Sequence, residues 1–150
     1  MYQYFRRRLV APGLDQWSRK VIPYASVRLL NDPAVVLVPG VPNSVLVFLG
    51  ALITKPAGTA YDGVDAGEDL AVKYTDKDAT LVLGTCETTG FVDQATAQYR
   101  WLNAYHAASG ASDITPAIGA PLVLHMLVGN IATGNSPLIV HTHFRIVKPT

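Results

Sequence analysis

The chain has 150 residues, 49% of them hydrophobic and only 15% charged, with a formal net charge of +1. Apolar content this high excludes disorder, and so small a net charge excludes nucleic-acid binding driven by a broad basic field. A single domain of this length buries about 68–70% of the surface its unfolded chain exposes, so no disulfide or metal is needed to hold a core.

One cysteine, Cys86, excludes an intramolecular disulfide and a cysteine-only metal site. No apolar run reaches the length of a membrane span. The start, MYQYFRRRLVAPG, has arginines but no apolar stretch of signal-peptide length after them. The expectation is a soluble protein made in a cytoplasm, with no membrane and no direct nucleic-acid contact.

Residues 1–19 read as an N-terminal arm ahead of a single β-domain over 20–150. Arg6, Arg7 and Arg8 offer guanidinium groups for bidentate pairing with carboxylates. Tyr2, Tyr4, Phe5 and Trp17 offer aromatic anchors of the kind enriched at binding hot spots. These seven residues are the candidate partner contacts.

Apolar runs cut by Pro and Gly predict the strands. The first three are Val21–Leu30, Ala34–Val38 and Ser44–Thr54. Ser44–Thr54 is apolar on both faces, and Val45, Val47 and Leu49 are assigned to the core. The stretch Asp62–Asp69 then gathers four carboxylates; its composition would suit calcium, but its spacing is not that of an EF-hand, and a solvated turn explains it equally well. Strands follow at Asp69–Tyr74 and Thr80–Gly84. A helical turn is expected around Glu87–Asp93, then strands at Ala95–Tyr105 and Pro121–Val128. In the last strand, Leu138–Val147, Leu138, Val140, Phe144 and Ile146 take one face, and His141, His143 and Arg145 take the other. Eight strands without a long helix predict an antiparallel sandwich or barrel. Leu70, Val72, Leu122, Leu124, Val140, Phe144 and Ile146 complete its expected core.

Chemistry is sparse. His141 and His143 would point the same way on a strand, with His125 on another strand as a third ligand for one ion. A bare H-x-H serves as well on a half-exposed strand face, so no metal or other cofactor is assigned. No G-x-S-x-G, G-x-x-x-x-G-K-[ST], G-x-G-x-x-G or H-E-x-x-H motif occurs. With two glutamates, both beside turn-like sequence, a paired-carboxylate site is not expected either. The chain reads as a non-enzyme. Low charge and two-sided apolar strands instead predict self-association.

One resemblance adds to this. The chain carries Gly58, Ala60 and Tyr61, then Leu70, Val72 and Tyr74. Later come Asn130, Ala132, Thr133, Gly134, Asn135 and Ser136, leading to Leu138, Val140, Phe144, Arg145 and Ile146. In this order they resemble a family of small structural proteins of tailed bacteriophages, over roughly Val21 to Val147. The departure is at His141–His143, where that family usually has Thr, Val or an aromatic. The resemblance implies a β-sandwich of jelly-roll type and a capsid decoration, or cement, protein. It would sit on the capsid exterior, bound to the major capsid protein, commonly as a homotrimer. The alternatives are a tail, neck or baseplate component and, from another class, a metal-dependent enzyme on a cupin-like barrel.

Overall fold

The structure, a computed structural model, describes residues 13–64, 69–105, 115–129 and 131–150. Its regular structure is almost wholly antiparallel strands: β1 (Asp15–Ile22), β2 (Val35–Val38), β3 (Val45–Lys55), β4 (Tyr61–Asp62), β5 (Leu70–Tyr74), β6 (Val82–Cys86), β7 (Gln98–Asn103), β8 (Leu122–Met126), β9 (Ala132–Thr133) and β10 (Leu138–Val147). A single helical turn, α1 (Tyr24–Val27), follows Pro23. The first sheet has the order β1-β10-β3-β7 and the second β2-β8-β5-β6, with β4 and β9 forming a small separate ribbon.

β10 keeps the period-two pattern expected of it. Leu138, Val140, Phe144 and Ile146 are buried, while Arg145 is exposed and His141 and His143 are partly so. Across the core, Leu70, Val72 and Tyr74 of β5 and Leu122, Leu124 and Met126 of β8 point back at them in one hydrophobic cluster. The two sheets are joined at their margins, where the Ser18 hydroxyl donates to the Leu37 carbonyl and the Tyr105 amide to the Leu83 carbonyl.

Three expectations need correction. The strand expected over Val21–Leu30 is two elements, because Pro23 cannot continue the β1 ladder and instead opens α1. The boundary expected between residues 19 and 20 falls inside β1: Asp15 to Arg19 already pair with Arg145 to His141 of β10. Alternating Trp17, Arg19 and Val21 with Gln16, Ser18 and Ile22 suits an outer strand of a sandwich. Residues 1–12, with the candidate contacts Tyr2, Tyr4, Phe5, Arg6, Arg7 and Arg8, lie outside the described residues.

The third correction concerns β3. Leu46 and Phe48 face the core, while Val47 and Leu49, assigned there from sequence, are only half-buried. When both faces of a strand are apolar, period two alone does not choose between them. The pairing also slips between His143 and Phe144, which sit opposite Gly50 and Phe48 and leave Leu49 without a partner on β10. This bulge keeps Ala51 and Ile53 facing inward beyond it.

Candidate functional site

The outward face of the first sheet brings together side chains that are far apart in sequence. Cross-strand pairing sets Trp17 beside His143, His143 beside Gly50, and Gly50 beside Asn103. Trp101 lies two residues before Asn103 on β7 and so shares its face. Here Trp17 stacks flat on His143, with ring centroids 4.5 Å apart and planes 4° apart. Trp101 meets Trp17 at 6.2 Å with a 55° tilt. Trp17, Trp101 and the neighbouring Tyr99 remain 55%, 50% and 63% exposed.

Gly50 makes room for this packing. Its φ of +146° is one that side-chain-bearing residues rarely adopt, and a Cβ there would stand 3.2 Å from Cζ2 of Trp101. The indole therefore rests against bare backbone.

One edge of the aromatic group is polar. Arg145 Nε donates to Asp15 Oδ1 at 2.7 Å, and His143 Nε2 lies 3.3 Å from Asp15 Oδ2. The hydrogen bond from Arg145, with the charges of Arg145 and His143 behind it, holds the Asp15 carboxyl below its ordinary range despite some desolvation. Asp15 thus holds both the guanidinium and the imidazole on which Trp17 lies.

The three histidines considered as metal ligands do not converge. His141 and His143 face outward from the first sheet. His125 faces away from the core on the second sheet, buried, with Nε2 2.9 Å from the Asn31 carbonyl. Burial lowers its pKa, partly offset by that carbonyl. In the Asp62–Asp69 stretch, residues 65–68 lie outside the described residues. Asp62 is exposed, and Asp69 is partly buried with its carboxyl pKa raised by burial and by Glu87. Cys86 is buried in the core cluster, its thiol pushed up to about 11 chiefly by burial; such a thiol carries little thiolate near neutral pH.

Two motifs of the resemblance, Gly58–Tyr61 and Ala132–Ser136, meet at one corner. Tyr61 of β4 pairs with Thr133 of β9, and its hydroxyl donates to the Ser136 carbonyl. Its ring lies so close to Gly134 that a Cβ there would stand 2.2 Å from the ring's Cδ1. The Thr59 amide donates to Asn135 Oδ1 at 2.8 Å, while Arg28 donates to the carbonyls of Thr133 and Gly134. Thus Gly58–Tyr61 and Ala132–Ser136 tie the β3–β5 connection to the β8–β10 connection. Burial raises the Tyr61 pKa to about 12, so its hydroxyl keeps its proton and donates.

Of the site residues named from sequence, Trp17, His141 and His143 lie on one outward face. Asp15, Tyr99, Trp101 and Asn103 were not named. The signal for the last three was an aromatic-rich predicted strand containing one of the chain's two tryptophans, and nothing in the sequence marked Asp15. Comparison with protein-family models, curated proteins and solved structures finds no significant match.

Proposed function

We propose that this chain is a non-enzymatic virion structural protein of a tailed bacteriophage. In this reading it is a decoration protein that binds the outside of the major capsid lattice as a homo-oligomer, with a trimer expected. The observation that carries the reading is the Tyr61–Gly134 corner. Its two halves stand about seventy positions apart, and Tyr61 and Ser136 are joined at a sequence separation of 75. Two of the motifs behind the resemblance therefore form one structural unit.

Strand order supports the jelly-roll part of the same reading. Leaving out the two-residue strands β4 and β9, the strands run first, eighth, third, sixth in one sheet. In the other they run second, seventh, fourth, fifth. Two interlocked Greek keys generate this pairing, and viral capsid domains use it. Cupins use it too, but the cupin-like reading requires His125, His141 and His143 around one ion. Here His125 lies on the opposite side of the sandwich from the other two.

Quantitative mass spectrometry of purified particles of the phage that encodes the chain tests the proposal. Hundreds of copies per particle are expected for a shell protein. A few dozen would move it to the tail or baseplate, and absence from the particle would refute a virion role. Docking falls to the arm. Because β1 begins at Asp15, the truncation that tests it removes residues 1–12 and leaves the sheet intact. Loss of shell binding with unchanged folding is the expected result. Arg6, Arg7 and Arg8 replaced together by Ala should lose part of the binding, with a deficit that shrinks at high salt.

A further inference from the structure

Both tryptophans of the chain meet on the outward face of the first sheet, and both are fixed from below. Trp17 lies flat on His143, and Trp101 rests against the backbone of Gly50. Aromatic rings that are exposed but already immobilised lose little conformational freedom when something covers them. Polar groups stand at both ends, the Asp15 carboxylate, tied to the Arg145 guanidinium and to His143, at one and the exposed Asn103 amide at the other, with Tyr99 and Leu52 beside Trp101.

We propose that this shelf binds the sugar rings of a neutral glycan. A pyranose ring presents a face of C–H groups that packs on an aromatic ring, and a rim of hydroxyls that needs planar donors and acceptors. Trp17 and Trp101 supply two ring surfaces at an angle, enough for adjacent sugar units. Asp15 has acceptor capacity beyond the contacts it makes here, and Arg145 and Asn103 donate. A protein partner would favour aromatic anchors ringed by contacts that exclude water, whereas this rim is hydrogen-bonding. Asp15 offsets the charge of Arg145, and Arg19, exposed on the same face two residues from Trp17, adds a further donor to the rim. The proposal does not rest on the virion reading.

Because the shelf holds both tryptophans, fluorescence excited where tyrosine does not absorb reports on it alone. The full chain should be titrated with hexasaccharides of glucose, of galactose and of N-acetylglucosamine. A saturable shift in tryptophan emission with at least one of them is expected. Trp101→Ala and Asp15→Asn should each bind that sugar about tenfold more weakly, with thermal unfolding followed by circular dichroism unchanged. Three results would overturn the proposal. They are no emission shift with any of the three sugars, wild-type affinity in Trp101→Ala, or a fall in sedimentation mass in Trp101→Ala, which would make the face a contact between copies. Sugar binding by a chain that is absent from purified particles would leave this inference standing and remove the virion one.

Discussion

The two outward faces of the sandwich are built alike and finished differently. On the second sheet Ala71, Lys73, Val123 and His125 point away from the core, yet all are buried. The chain closes this face with its own loops: the Asn31 carbonyl meets His125, and the Lys77 carbonyl accepts from the Lys73 ammonium at 2.8 Å. On the first sheet Trp17, Tyr99 and Trp101 stand half in solvent. Burial on the second sheet is matched by hydrogen bonds at the Lys73 ammonium and at His125 Nε2, while His125 Nδ1 is buried without a partner. Exposure on the first leaves apolar ring surface for an outside partner.

Placing one charge on each face breaks the comparison most sharply. Val123 is 1% exposed, so Val123→Asp should cost about 3–5 kcal/mol, the scale of an uncompensated buried charge. Tyr99→Asp, on the open face, should fall within about 0.5 kcal/mol of wild type. Urea unfolding of both variants checks the pair, and equal losses would mean that the two faces are equally covered. Phe144→Ala sets the scale for the core that both sheets share, with an expected loss of about 3–5 kcal/mol.

The histidines sharpen the contrast at smaller amplitude. Burial lowers the His125 pKa from its ordinary 6.5, so the unfolded chain takes up a proton at a higher pH than the folded one. His125 in its neutral form therefore contributes full stability above about pH 6.5. That contribution is lost as pH falls below it, by at most about 1.4 kcal/mol per pH unit. The loss stops once the folded histidine also protonates. Denaturant midpoints measured from about pH 7 down to pH 5 should fall less steeply in His125→Asn than in wild type.

The smallest effect belongs to Asp15→Asn. Asp15 is exposed and holds Arg145 and His143, so its replacement should leave unfolding midpoints unresolved from wild type. Tryptophan emission should still change, because His143 is the surface on which Trp17 stacks. An unchanged spectrum would mean that the stack needs no support from the carboxylate.

Much of the strand framework was legible in the sequence. β2, β5, β8 and β10 lie where alternation and apolar runs put them, and the inward residues of β10 are those its period-two pattern names. Pro23 marked a break that the expected first strand ran through. The histidines were visible as an H-x-H, but their separation from His125 was not, since pairing on different sheets leaves no trace in local spacing.

Sequence alone determined that β2, β5, β8 and β10 are extended and which face of an amphipathic strand such as β10 is buried, because both follow from local geometry and the alternation of apolar residues. Tertiary structure alone decided the inward face of β3, where two apolar faces compete and a bulge opposite His143 and Phe144 settles the register. It also decided that Trp17 and Trp101 share one shelf and that Tyr61 closes on Gly134. Each of those contacts joins distant segments, and it exists only once the β1-β10-β3-β7 order, or the β4–β9 pairing, has brought them side by side.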